Sequence, residues 1–210
     1  MNEQFWWYVT RASGMVAAVL LALTVIWGLL ISSRLIERRG LPAWLTDLHR
    51  HLGALSAILI GVHLVALVAD NTVAFGWSEL FVPFASSWKA GPVAWGIGAF
   101  WALVIVEGSS LLQRKLKLKR KSWHRLHMLS YPVALMAAIH ASAAGTDAAN
   151  PVFRTVSITL ILLIGSLTVF RILHRRPART SGAARAMVEN RPDARIQNLG
   201  SARRPPVASR

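Results

Sequence analysis

The sequence predicts an all-α integral membrane protein, a bundle of about five transmembrane helices. Three observations predict it: apolar residues come in long uncharged blocks, basic residues gather in alternate connections, and histidines recur inside two of the blocks. The chain has 210 residues, 54% of them hydrophobic. A soluble domain would spread these with a helical or strand period, whereas blocks of this length match the ~20 apolar residues that cross a bilayer.

Ala12 to Ser33 is uncharged over 22 residues and predicts a first span at 12–32. Its apolar run exceeds the roughly 7–15 residues of a signal-peptide core and no small-residue cleavage site follows, so a retained anchor is expected. Leu52 to Ala69 predicts a second span at 48–69, and Ala90 to Val106 a third at 91–112. Leu126 to Thr146 and Thr155 to Phe170 predict the fourth and fifth, at 125–144 and 153–173, the last extended by a snorkelling Arg171. Between the second and third spans, Phe75, Trp77, Leu80, Phe81, Phe84 and Trp88 read as a short amphipathic segment lying in the interface, where it could lid that end of the bundle. The membrane domain is expected to cover 1–174, followed by a disordered basic tail at 175–210, rich in Arg, Ala, Pro and Ser.

A net charge of +15 in a soluble protein would suggest nucleic acid as partner. Its distribution excludes that reading. The connection from Ser33 to Arg50 holds four basic residues, that from Gln113 to Arg125 seven, and the segment from Arg171 onward ten, leaving only Arg11, Lys89 and Arg154 elsewhere. Five spans put the three basic segments on one face, which the positive-inside rule makes cytoplasmic, with the N-terminus outside and the tail inside a bacterial cell membrane. Trp6, Trp7, Trp44, Trp77, Trp88 and Trp123 fall near span ends, as an aromatic belt in lipid headgroups requires.

His49 and His63 lie 14 residues apart in the second span, and His127 and His140 lie 13 apart in the fourth. At about 1.5 Å per residue each pair is spread over roughly 20 Å along its axis, so no single four-histidine site is formed. One helix intervenes between these spans, so they run parallel and bring His49 to the level of His127 and His63 to that of His140. Two ligands per level are too few for structural zinc and suffice for haem, whose porphyrin fills the four in-plane positions. The chain has no cysteine, which excludes covalent c-type haem and iron–sulfur clusters and leaves non-covalent b-type haem. Two stacked haems are expected, with a single haem at His63 and His140 as the smaller alternative. His51 and His124 flank the inner pair, and Arg50 and Arg125 stand where haem propionates would be met. Helical phase suits the first pair; the second falls about 140° short of whole turns, and Pro132 between them is expected to rewind the helix locally. Gly53 and Gly61 would let a flat macrocycle approach the second span, or serve ordinary helix packing through small residues. Glu107, the one acid inside a span, is expected to pair with the adjacent basic loop.

The stretch Leu48-His49-Arg50-His51-Leu52-Gly53 running on to His63 resembles the third-helix element of the ferric reductase-like transmembrane domain family, which includes the membrane halves of ferric reductases and NADPH oxidases. Trp123-His124-Arg125-Leu126-His127-Met128-Leu129-Ser130-Tyr131 running on to His140 resembles that family's W-x-x-L-H-x-L-x-Y element. The resemblance covers residues 8–173, and Val82-Pro83-Phe84-Ala85-Ser86 with the stretch from His140 to Asp147 is similar to actinobacterial-type members. It implies an inner haem on His49 and His127 and an outer one on His63 and His140. Full-length relatives carry a flavin and nicotinamide module after the last helix; no G-x-G-x-x-G motif follows here, so the chain is expected to be a stand-alone membrane half, similar in layout to the haem subunit of periplasmic methionine sulfoxide reductase.

These readings imply a b-type cytochrome in membrane lipid, an oxidoreductase component taking electrons from a flavoprotein or quinol and passing them to an extracytoplasmic acceptor. Two rivals stay open: a quinol-linked haem subunit dedicated to one extracytoplasmic reductase, and a haem-free protein whose histidines relay protons or pack helices.

Overall fold

The computed structural model describes residues 4–33, 43–70, 75–113, 115 and 117–174. The expected tail at 175–210 lies outside the described residues. Seven helices follow in order: α1 (Phe5–Ser32), α2 (Ala43–Ala69), α3 (Trp77–Phe81), α4 (Ala90–Leu112), α5 (Arg120–His127), α6 (Ser130–Ala144) and α7 (Pro151–Leu173). There is no strand among the described residues. Five helical stretches are long and apolar enough to cross a membrane, α5 and α6 counting together as Arg120–Ala144, and the protein is a multi-pass membrane protein.

Three spans begin several residues earlier than expected, among them the fourth, which starts at Arg120 rather than 125. α1 starts at Phe5 rather than 12 because Arg11, whose charge set that boundary, is paired: its guanidinium meets the Asp147 carboxylate through Nε at 3.0 Å and through Nη2. α2 starts at Ala43 rather than 48, carrying Asp47 and Arg50 on exposed positions of its first turns. The aromatic connection does form a short helix, α3, and Trp101 Nε1 donates to Phe81 O at 3.1 Å to tie it to α4.

The expected rewinding of the fourth span is a break, upstream of Pro132. Leu129 N–H bonds Leu126 O at 3.0 Å and Tyr131 N–H bonds Met128 O at 3.3 Å, both three residues back. Pro132 has no N–H to offer Met128 O, so that carbonyl takes Tyr131 instead. Turns of this kind advance about 120° per residue rather than 100°, which rotates His127 toward the face of His140, the sense the phase shortfall demands.

α1 packs along α2 and α4 along α6, while α2 and α6 pack on each other marginally at most. The bundle is therefore two antiparallel hairpins with the histidine-bearing helices facing a gap. Leu21, Leu103 and Val133 form a buried apolar cluster between the hairpins, joined by Ile60 and Ala137. α7 covers α1 from outside, and Arg171 Nη1 donates to the Tyr131 hydroxyl at 2.7 Å.

The Arg11–Asp147 pair closes the α6–α7 turn onto α1. A double-mutant cycle of Arg11→Gln and Asp147→Asn, read by thermal unfolding in detergent, is expected to give a coupling of roughly 0.5–3 kcal/mol; additive losses would show that the pair contributes nothing jointly.

Candidate functional site

His49 and His63 project from α2, His127 ends α5, and His140 lies in α6. The His49 and His127 ring centroids are 5.9 Å apart with planes at 70°. His63 and His140 line one cavity that lies mainly among α1, α2, α4 and α6. The four histidines are thus brought together in the two expected pairs, at two levels of the gap. The cavity measures about 230 Å³ at water-sphere centres, many times the ~10–15 Å³ one water needs. Its walls are mostly apolar, from Leu21, Ile60, Leu64, Ile97, Leu103 and Val133, and charged residues Arg11, Asp70, Glu79 and Asp147 also line it. Phe75, Leu80 and Trp88 belong to the lining as well, so the aromatic connection covers that end as the sequence suggested. The rings of His49 and His127 are not part of this cavity.

Three of the four imidazoles are held in the same way. His63 Nδ1 lies 2.9 Å from Thr10 O, His49 Nδ1 3.1 Å from Thr24 O, and His140 Nδ1 2.9 Å from Pro92 O. A carbonyl only accepts, so each Nδ1 is the N–H donor and each Nε2 keeps its lone pair, directed away from the scaffold helix. Each carbonyl has a glycine four residues on: Gly14 after Thr10, Gly28 after Thr24, Gly96 after Pro92. Cβ atoms tilt toward the helix N-terminus, so a side chain there would stand over the carbonyl that the imidazole must reach. A Cβ on Gly14 would come within 2.9 Å of His63 Nδ1, one on Gly28 within 3.1 Å of His49 Cε1, and one on Gly96 within 2.6 Å of His140 Nδ1. The carbonyl's second lone pair takes the imidazole while the first keeps its helical bond.

His127 differs. Its Nδ1 is buried with no hydrogen-bond partner among the described residues, and its ring stacks on Trp123, centroids 5.1 Å apart at 26°. Thr10 Oγ1, in the cavity lining, is another buried polar atom without a partner there.

The residues expected to flank the inner pair lie at the surface. His51, His124, Arg50 and Arg125 are exposed; His51 Nδ1 donates to Asp47 O at 2.7 Å, and Arg50 Nη1 lies 3.9 Å from Asp47 Oδ1. Glu107 was expected beside the basic loop, but its carboxylate lies against α2, where a Cβ on Gly53 would meet Oε1 at 3.0 Å. Gly53 therefore makes room for a carboxylate, and Gly61 has nothing within 4 Å. Sequence reasoning missed the three carbonyl–glycine seats, although Gly14 and Gly28 repeat the 14-residue spacing of His49 and His63.

Gly96→Ala should push His140 off Pro92 O and leave a buried donor unpaired, lowering stability by about 1–3 kcal/mol, while Gly165→Ala, whose Cβ meets nothing within 4 Å, should be neutral or better. Equal effects in detergent unfolding would refute the seat.

The family described as ferric reductase like transmembrane component matches residues 13–138. That stretch holds His49, His63 and His127, and His140 follows just beyond it. Searches of curated proteins and of solved structures returned no match. A family match over more than half of the chain, together with five membrane-crossing helices, makes this protein a member of the ferric reductase-like transmembrane component family.

Proposed function

We propose that the protein is a b-type cytochrome that relays electrons across the membrane through two bis-histidine haems, His49 with His127 and His63 with His140, as the membrane component of a ferric reductase-like system. The observation that carries this reading is the three-fold seating of Nδ1 on carbonyls, which turns Nε2 of His49, His63 and His140 away from the scaffold helices. Helix packing alone would not call for a free lone pair on each ring.

The residues fit the group. Imidazoles sharing one metal at about 2 Å each have ring centroids roughly 6 Å apart, against 5.9 Å for His49 and His127. The mostly apolar cavity between His63 and His140 suits a flat macrocycle. Haem bound there supplies a one-electron Fe(III)/Fe(II) couple. His49 with His127 and His63 with His140 would each hold one haem, which would supply electron transfer rather than a substrate-binding position. The chain's own contribution is to fix the imidazoles, hold the two levels apart and exclude water with an apolar shell.

In this reading the basic connections face the cytoplasm, electrons enter from a flavoprotein or membrane quinol, and an extracytoplasmic acceptor takes them. A dedicated quinol-linked subunit of one extracytoplasmic reductase has the same machinery and differs only in its partners.

The test is a dithionite-reduced minus oxidised spectrum of the purified protein with haem quantified per chain. Two low-spin b haems are expected, one lost in His63→Ala or His140→Ala and the other in His49→Ala or His127→Ala. One haem that survives His49→Ala would leave only the cavity pair, and a colourless protein would sink the electron-transfer reading in favour of proton-relay or packing histidines.

A further inference from the structure

The seats on α1 show where a fourth should stand on α4. Thr10 and Thr24 are 14 residues apart, like His49 and His63 on the antiparallel α2 that they serve. Counting the same 14 residues along α4 from Pro92 reaches Val106, and from Gly96 it reaches Ser110. At this position the glycine is replaced, and the carbonyl is already taken: Ser109 Oγ and Ser110 Oγ each donate to Val106 O at 2.9 Å. Trp123 Nε1 then donates to Ser110 Oγ at 3.3 Å, and the indole so anchored lies flat against His127. His127 Nδ1 is left buried and without a partner among the described residues.

We propose that Trp123, anchored on Ser110, is a positioning residue for His127 that replaces the carbonyl seat of the other three histidines, and that it thereby holds the reduction potential of the His49/His127 pair above the value a fourth seat would give. The inference rests on the haem reading above. An imidazole N–H that donates to a carbonyl or carboxylate makes the opposite nitrogen a more basic ligand. More electron donation favours the ferric state, so a ring held only by stacking favours the ferrous state by comparison. Stacking fixes the plane of the ring without polarising its N–H, which separates orientation from electronic tuning at this one ligand. Glu107, whose carboxylate lies against Gly53 of α2, is left in place in every variant below.

The experiment is potentiometry of the haem-loaded full-length chain, followed by its absorption and low-temperature paramagnetic resonance spectra. His49→Ala identifies the component belonging to the inner pair. Ser109→Ala combined with Ser110→Gly removes both hydroxyls from the Val106 carbonyl and should shift the inner reduction equilibrium toward the ferric form by up to tenfold, about 59 mV for one electron, leaving the other component in place. Trp123→Leu should change the ligand-field signature of the same component, and Trp123→Phe, which keeps a ring and loses the N–H, should change it less. Shifts shared by both components, shifts in the outer component alone, or an inner component unmoved by all three variants would overturn the proposal while leaving two haems in place. A colourless wild type would overturn the haem reading and this inference together.

Discussion

An imidazole inside a bilayer carries one N–H that has no water to donate to, and the rest of this bundle is arranged around that requirement. Backbone carbonyls are the acceptors at hand, but in a helix each is sheltered by the side chain four residues on. Glycine at 14, 28 and 96 removes the shelter at three places and brings the imidazole onto the carbonyl of Thr10, Thr24 or Pro92. One contact thereby satisfies the buried donor, fixes the tautomer and aims the other nitrogen. The same contact locks helix to helix, since the bonds join α1 to α2 twice and α4 to α6 once. Interhelical hydrogen bonds in membranes are worth only about 0.6–2 kcal/mol each, so the hairpins depend on close small-residue packing as much as on the bonds.

Division of labour between helices follows. α2, α5 and α6 carry the histidines; α1 and α4 carry none and act as scaffolds that hold them. Every ligand candidate is referred to one scaffold helix, so the distance between paired rings is governed by the separation of α1 and α4 rather than by direct packing of α2 on α6. The break at Met128 and Leu129 matters for the same reason. It lets α5 take its orientation from α4 through Trp123 and Ser110, independently of α6, whose own seat is Pro92.

Much of this was legible in the sequence. Uncharged blocks gave the five spans, and histidine spacing with helix parallelism gave both pairs. Boundaries slipped where a charge inside a helix was paired, as with Arg11, because an ion pair across 136 residues leaves no local trace. The fourth span's phase conflict was visible, but its resolution depends on which amide donates to the Met128 carbonyl, a choice made by three-dimensional geometry. Glu107 was assigned to the nearest basic loop by sequence proximity; the clearing for it is Gly53, on a different helix. The seats were written in the sequence as a second 14-residue spacing, Gly14 to Gly28, hidden because glycines in apolar spans are commonplace.

What separates the two levels is also set by that register. Leu21 stands seven residues from both Gly14 and Gly28, and Leu103 seven from both Gly96 and Ser110, so each lies midway between the positions that hold the rings. Val133 lies midway between His127 and His140 on the facing helix, and these three are the members of the buried cluster between the hairpins. An apolar plug at mid-bundle follows from spacing alone: a scaffold that repeats every 14 residues leaves a half-repeat where no imidazole points and only side-chain volume can fill the gap. Gap width and plug volume are therefore coupled, since any side chain large enough to part α1 from α4 at this layer would draw both pairs of rings apart at once.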